Sequence, residues 1–209
     1  MKKVLKNVSF VILLLKMCII FGQETTTQKR IVIDVGHGGK DSGAIGINGI
    51  QEKDIVLDIA LEILKLNENS EMPLDIYLTR YSDTLISLTD RSKLSKALEA
   101  DIFISLHCNH SNNPNARGVE VYVSSGISQY LKDATWLAFQ LQAAFNKELE
   151  FESRGVKFAN FQVLRETIDY FPAVLLELGF LSNKDEESYL SDATNIQFTA
   201  SAIVQSIRN

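Results

Sequence analysis

Two residue types that build cross-links and reactive sites are scarce in this chain of 209 residues, which has two cysteines and three histidines. One cysteine, Cys18, lies in an apolar N-terminal segment. If that segment is removed, Cys108 remains alone and no internal disulfide can form. The fold must then depend on its apolar core. Any histidine-based site is confined to three positions, His37, His107 and His110.

Excess basic charge is also absent. The formal net charge is −5 and no long run of Lys or Arg occurs, so the electrostatic signature of nucleic-acid binding is missing. Two nucleotide motifs fail as well. Gly39-Lys40 is followed by Asp41 where a P-loop needs Ser or Thr, and Asp41 also takes the sixth place of the dinucleotide pattern that begins at Gly36. The length and the lack of internal repeats predict one domain.

The N-terminus has the composition of a secretory signal. Three lysines precede an apolar run at 8–15, and a second apolar run at 17–21 follows Lys16. The whole stretch is short for a membrane span. We expect residues 1–22 to be a signal peptide, 23–30 a polar linker and 31–209 the folded domain, exported to the periplasm or cell envelope. In the alternative, the segment is retained as an anchor and is the only part that contacts the membrane.

The stretch IVIDVGHGGKDSGAIG, residues 31–46, joins a predicted buried strand to an abrupt turn. Ile31 to Val35 are mostly apolar or β-branched, and three of the next four residues are glycines. His37 lies inside this turn, just beyond the carboxyl end of the strand. Ligands collect at that position in open α/β sheets. A Gly-rich surface turn with an incidental histidine is the alternative interpretation.

Predicted strands and helices alternate along the rest of the chain. Apolar periodicity indicates helices at 53–66, 85–100, within 127–148, at 183–190 and at 193–207. Strands are expected at 74–78, 101–106, 118–123 and 173–178, with 118–123 near a sheet edge and 158–164 extended. This alternation predicts an α/β fold with an open, mainly parallel, twisted sheet.

Three ionisable residues lie at the carboxyl ends of predicted strands: His37, His107 and Glu177. Glu52 follows the Gly-rich turn at the start of a helix. Because the ends of parallel strands share one edge, we expect the four side chains to meet there. Two histidines and a carboxylate suit a zinc site that keeps one position open, and a further carboxylate would act as general base. Each residue also has a structural explanation; Glu52, for example, would interact favourably with the helix dipole.

Four neighbouring residues have simpler interpretations. Arg91, on a predicted helix, is expected to be solvated or salt-bridged. Cys108 should point away from a metal if His107 points towards it, because adjacent strand residues face opposite sides. Asp34 and Asn109 are both candidates to orient the histidines.

The set of motifs resembles the zinc-dependent N-acetylmuramoyl-L-alanine amidases of the amidase_3 type. The matching stretches follow that family's order and cover nearly all of the predicted mature chain: IVIDVGHGGKDSGAIG, QEKDIVLDIA, LTR, DIFISLHCNH, ARGVEVYV, RGVKFANFQVL and PAVLLELGFLSN. The chain departs from the family pattern at Val35, where Pro is usual, and at Cys108 and His110, where small residues are usual. The loop from Glu166 to Phe171 is slightly long.

The resemblance implies a single catalytic domain with a sheet of about six strands flanked by helices. It implies His37, Glu52 and His107 as zinc ligands and Glu177 as the catalytic carboxylate. It also implies hydrolysis of the amide between N-acetylmuramic acid and L-alanine in peptidoglycan, by an enzyme expected to be monomeric. His110 is then expected to be a solvent-exposed loop residue, since Glu52 completes the ligand set.

Two other functions remain open from the sequence: a zinc peptidase or amidase with another cell-wall bond as substrate, and a non-catalytic peptidoglycan-binding module. Some relatives that act in cell division carry a helix that blocks the zinc, inserted after the strand matching 118–123. Only a short link follows that strand here, and no wall-binding domain is expected after the last helix. We therefore expect activity without an activator.

Overall fold

The computed structural model describes residues 28–208. Apolar and β-branched runs form the strands of one six-stranded sheet. The strands are β1 (Arg30–Val35), β2 (Asp75–Leu78), β3 (Ile102–Asn109), β4 (Val119–Ser124), β5 (Ser153–Ala159) and β6 (Ala173–Phe180). The predicted signal segment, residues 1–22, and most of the predicted linker lie outside the described residues. Within residues 28–208, no helix is long and apolar enough to span a membrane.

Six helices of the described chain connect and cover these strands. They are α1 (Glu52–Glu68), α2 (Leu88–Ala97), α3 (Leu131–Glu148), α4 (Gln162–Thr167), α5 (Lys184–Ser191) and α6 (Ala193–Arg208). Two of them, α2 and α5, begin with a side-chain cap. The Ser87 side chain accepts a hydrogen bond from the Asp90 amide before α2, and the Asn183 side chain caps α5 as the sequence predicts.

The sheet has the strand order β2-β1-β3-β6-β4-β5. Strands β2, β1, β3 and β6 are parallel, β4 is antiparallel to β6, and β5 is parallel to β4. The prediction of an open, mainly parallel sheet is confirmed. The carboxyl ends of β1, β3 and β6 therefore meet at one edge of the sheet, together with the amino ends of β4 and β5.

Apolar side chains pack on both faces of the sheet. The larger cluster joins the sheet to α1, α3 and α6 and contains residues such as Ile33, Leu106 and Leu176. The smaller cluster lies beneath α2 and the short α4 and includes Phe103 and Leu164. The helix α4 has only six residues. Towards the carboxyl ends of β1, β3 and β6, this second face carries polar side chains such as Ser105 and Glu177.

Two expectations for the second half of the chain were wrong. The strand 118–123 is not at an edge, because β4 lies between β6 and β5. Residues 158–164 are not one extended segment. Strand β5 ends at Ala159, and α4 begins at Gln162, where Val163, Leu164 and Thr167 turn inwards at helical spacing. Burial of this short apolar group on the smaller core outweighs its mixed local propensity.

Candidate metal centre

His37 is positioned by the turn that follows β1. Its backbone is left-handed, with φ of 57°, and Gly38 and Gly39 also have positive φ, 125° and 58°. The amide of Gly38 donates to the carbonyl of Asp41 at 2.9 Å, so the chain reverses within four residues. This brings Asp41 Oδ2 to 2.9 Å from His37 Nδ1. Backbone strain of this kind on a non-glycine residue is concentrated at functional sites.

Glu52 is the first residue of α1, and its side chain is held at both oxygens. Oε2 accepts a hydrogen bond from the Ala44 amide at 2.7 Å, and Oε1 accepts one from the Cys108 amide at 2.9 Å. The close approach depends on Gly43, because a Cβ there would lie 2.5 Å from Glu52 Oε2 and 2.6 Å from His37 Cδ2. The carboxylate is therefore fixed in place and only 3% exposed.

Three possible ligand atoms converge where β3 meets this loop. His37 Nε2 lies 3.0 Å and His107 Nδ1 lies 2.9 Å from Glu52 Oε1, and the two nitrogens are 3.1 Å apart. Two ligands of a tetrahedral zinc ion are separated by roughly 3.3 Å, given bonds of about 2.0–2.1 Å. The donor types and their spacing thus fit a divalent metal such as zinc, and these three residues form one potential metal-binding group within the described chain.

The charges of this group also favour a cation. Burial alone would lower the pKa of His37, but the hydrogen bonds and charges of Glu52 and Asp41 outweigh it and raise the pKa to about 9. Burial would raise the pKa of Glu52, and the two histidines reverse this effect and lower it well below its usual range. The metal-free site therefore holds a proton on His37 beside an ionised Glu52 at neutral pH. A metal ion would replace that proton.

Glu177 lies beside this group but is bound differently. In the parallel pair of β3 and β6, Glu177 is the register partner of His107. Its Oε2 is buried and has no hydrogen-bond partner among residues 28–208. Burial raises the pKa of Glu177 to about 7; the histidines oppose this shift and the nearby Glu52 and Glu120 add to it. An unpartnered carboxylate with a pKa near neutral is suited to taking and returning a proton.

Two buried arginines fix the backbone around His37. Arg91 donates to the carbonyls of Val35 and His37 and pairs with Asp34 Oδ1 at 2.8 Å. Arg80 donates to the carbonyl of Gly36 at 2.8 Å. Of the two states predicted for Arg91, solvated or salt-bridged, the salt bridge is the one observed. The residue is 2% exposed, and it reaches inwards to satisfy carbonyls that the turn leaves without ladder partners.

The structure also corrects the residues expected to orient the histidines. Asp34 accepts hydrogen bonds from Thr79, Arg91 and Ser105, and none from a histidine. The Asn109 side chain donates to Glu120. The partner of His37 is instead Asp41, which the sequence analysis did not single out. Its position four residues beyond His37, across Gly38 and Gly39, was the available signal.

The two remaining candidates lie as predicted. Cys108 is buried in the larger apolar cluster, on the other side of β3 from His107, and burial raises the pKa of its thiol well above its usual value. An inert packed thiol is expected in such surroundings. His110 is exposed in the loop after β3 and does not belong to the metal-binding group of the described residues.

Comparisons with known proteins point to one family. The family model Amidase_3, N-acetylmuramoyl-L-alanine amidase, matches residues 31–209. The chain is 37% identical over 180 residues to the uncharacterized protein YqiI of Bacillus subtilis, covering 86% of this chain and 83% of YqiI. It is 37% identical over 176 residues to the N-acetylmuramoyl-L-alanine amidase LytC of Bacillus subtilis, covering 84% of this chain and 34% of LytC.

A solved structure supports the same assignment. The catalytic domain of CwlV, an N-acetylmuramoyl-L-alanine amidase from Bacillus (Paenibacillus) polymyxa var. colistinus, superposes with a TM-score of 0.77 at 37% identity. The match covers 86% of this chain and 96% of the CwlV chain. The likeness therefore extends over most of this chain.

Proposed function

Since this chain belongs to the Amidase_3 family of N-acetylmuramoyl-L-alanine amidases, we propose that it hydrolyses the amide between N-acetylmuramic acid and L-alanine of peptidoglycan with a zinc ion held by His37, Glu52 and His107. The residues support this assignment chemically. Two neutral imidazoles and one carboxylate leave a fourth zinc position for water or substrate. Asp41 supports the tautomer of His37 in which Nε2 has a free lone pair, because its carboxylate accepts the Nδ1 proton.

In the proposed reaction Glu177 transfers the proton. Bound zinc would supply the Lewis acid that polarises the scissile carbonyl and lowers the pKa of the attacking water. Glu177 accepts a proton from that water, the carbon–nitrogen bond breaks, and Glu177 returns the proton to the leaving amine of L-alanine. Its position beside His107 and its raised pKa, about 7, suit both steps.

The contrast between the two carboxylates carries this proposal. Glu52 is ionised and bound at both oxygens, as a metal ligand must be. Glu177 keeps a buried oxygen without a hydrogen bond in the described chain, as a base requires. A binding module without activity has no need for a second carboxylate that is kept buried without a hydrogen bond from the described chain.

Digestion of purified peptidoglycan tests the proposal. We expect two products, both identified by mass. One is the intact stem peptide that begins with L-alanine, and the other is glycan whose N-acetylmuramic acid no longer carries a peptide. A chelator should abolish release, and Zn²⁺ should restore it. Products cut inside the stem peptide would identify a zinc peptidase of another specificity instead. Unchanged wall after treatment with zinc-loaded protein would favour a binding module.

We further propose that the protein acts outside the cytoplasm as a monomer, after export through residues 1–22. The substrate lies in the cell wall, and the apolar run near the N-terminus supports export. The mass of the protein recovered from the envelope fraction tests this, because cleavage after Gly22 leaves a chain that begins at Gln23. Full-length mass in the membrane fraction would support a retained anchor.

The purified enzyme should also be active alone. The link from β4 to α3, residues 125–130, is too short to carry a helix that covers the metal. Negligible hydrolysis without a second protein would contradict this expectation.

A further inference from the structure

A polar surface continues from Glu177 across β4 to the outer strand β5. Glu120 of β4 is the register partner of Glu177 in the antiparallel pair, and directly paired residues place their side chains on the same face. Tyr122 of β4 is paired with Lys157 of β5 on that face. The Tyr122 ring contacts that of Phe161, just before α4, at 5.2 Å, and the polar side chains continue from there back to Glu177 beside the candidate metal centre.

Glu120 organises the part of this polar surface that lies farthest from Glu177. It is 2% exposed, and its Oε1 is bound by Arg154 Nε and by Lys157 Nζ, the latter at 2.7 Å. Its Oε2 accepts hydrogen bonds from Tyr122 Oη at 2.6 Å and from Asn109 Nδ2 at 3.3 Å. Every lone-pair direction of the carboxylate is therefore occupied by a group of this chain.

The two cations that Glu120 holds face outwards. The Arg154 side chain is 35% exposed and that of Lys157 is 37% exposed, whereas that of Glu120 is 3% exposed. Arg154 lies 5.0 Å from the centre of the Phe180 ring, and Lys157 lies 5.8 Å from that of Tyr122. Arg154 Nη1 also donates to the carbonyl of Arg117 at 3.2 Å. Two positive charges against one buried negative charge leave an excess positive charge at this surface, on side chains that the Glu120 carboxylate holds in place.

The spacing matches a peptide that leaves the metal centre. Glu120 is one strand, about 4.8 Å, from Glu177, and the cationic groups contact the Glu120 carboxylate. Two residues of extended peptide span about 7 Å. A chain that starts at the scissile bond would therefore bring its second residue to Arg154 and Lys157.

We propose that Arg154 and Lys157 form a carboxylate-binding subsite for the stem peptide, at the residue that follows L-alanine. This inference rests on the proposed function, and it adds which feature of the substrate the enzyme selects. An arginine and a lysine ordered by a buried acid bind a carboxylate through charge-assisted hydrogen bonds at little entropic cost. Glu120, which does not touch the substrate, is a positioning residue.

Matched substrates test the subsite. Soluble glycan fragments are prepared with either a free carboxylate or a carboxamide on the second stem residue. The wild-type enzyme should cleave the carboxylate form with a kcat/KM about tenfold to 100-fold higher, chiefly through KM. Arg154→Gln and Lys157→Gln should each lose most of that preference, because kcat/KM should fall much more on the carboxylate form than on the carboxamide form. Arg154→Lys should retain part of it.

Control measurements separate this role from a structural one. Lys65→Gln removes the same charge from the exposed surface of α1, where Lys65 pairs only with Glu62 among the described residues, and should leave the preference unchanged. Equal kcat/KM of the wild type on both substrates would overturn the subsite and leave the amidase function intact. Equal loss on both substrates in Arg154→Gln, with a lowered melting temperature, would show a structural ion pair instead. Cleavage of neither substrate would overturn the amidase proposal itself.

Discussion

Glu52 and Glu177 are two carboxylates of one site in opposite environments. Glu52 accepts hydrogen bonds from the backbone amides of Ala44 and Cys108. Its burial would raise its pKa, but the two histidines beside it outweigh this effect and hold the pKa below the usual range. Glu177 is buried at one oxygen without a hydrogen bond from the described chain, and its pKa rises to about 7. The same side chain is thereby made a permanent anion at one position and a proton carrier at the other.

The difference arises from the elements that carry the two residues. Glu52 begins a helix beside the loop that contains Ala44, whose amide donates to it, and an irregularity in β3 between His107 and Asn109 leaves the Cys108 amide free to donate as well. Glu177 lies within a strand, where the backbone donors are used by the sheet and only side chains can reach it. Glu52 therefore has two backbone donors, whereas no side chain of the described residues donates to the buried oxygen of Glu177.

The largest expected effect is on catalysis by Glu177→Gln. The amide keeps the shape of the side chain but cannot accept a proton, so kcat should fall by about 10²–10⁴-fold. Glu71→Gln, on an exposed turn, is the control and should retain full activity. Rates are measured on soluble peptidoglycan fragments at equal folded concentration. Activity within a few-fold of the wild type would mean that another group transfers the proton.

A second effect should appear in stability. Arg91→Met leaves Asp34 buried and without its charged partner, and breaking a buried pair costs about 3–5 kcal/mol. It also frees the carbonyl of His37, so zinc binding should weaken. Chemical denaturation of the metal-free proteins measures the cost. In the double variant Asp34→Asn/Arg91→Met, the free energy of unfolding should fall by less than in Arg91→Met alone. A cost below about 1 kcal/mol would indicate a solvated arginine.

The smallest effect concerns pH. His37 must lose its proton to bind zinc, and its pKa in the metal-free site is about 9. Glu52 stays ionised in this range, so the apparent zinc dissociation constant should rise by up to about tenfold per unit as pH falls from 9 to 7. The raised pKa stabilises the metal-free fold at low pH, and this contribution is lost as the pH rises through 9. Competition with a chromophoric chelator measures the affinity, and a flat profile would contradict the assigned protonation of His37.

The meeting of His37, Glu52 and His107 at one edge of the sheet could be predicted from the sequence because each residue has a local signal. A strand followed by glycines locates His37, a second apolar strand ends at His107, and helical periodicity marks the start of α1 at Glu52. The common edge then follows from the parallel arrangement of the strands. These features depend on residues close together in the chain, where periodicity and turn chemistry are informative.

Most of the features that were missed depend on contacts between distant residues; the contact of Asp41 with His37 is local but needs a closed turn. Arg91 has the sequence context of a surface helix, and only the folded turn after β1 supplies the carbonyls that draw it inwards. The antiparallel, interior placement of β4 is set by which strand pairs with β6, a choice that alternation of apolar residues does not encode. Asp41 approaches His37 only because the Gly38–Asp41 turn closes.

Zinc affinity of the two glutamine variants tests the central claim most directly. Bound zinc and its dissociation constant are measured for Glu52→Gln, Glu177→Gln and the wild type in the same chelator competition. The difference between the two environments predicts that Glu177→Gln binds zinc nearly as tightly as the wild type. Glu52→Gln should lose much of its affinity for zinc, because a neutral amide replaces an anionic ligand. If Glu177→Gln loses its zinc and Glu52→Gln retains it, the ligand and the base have been assigned the wrong way round.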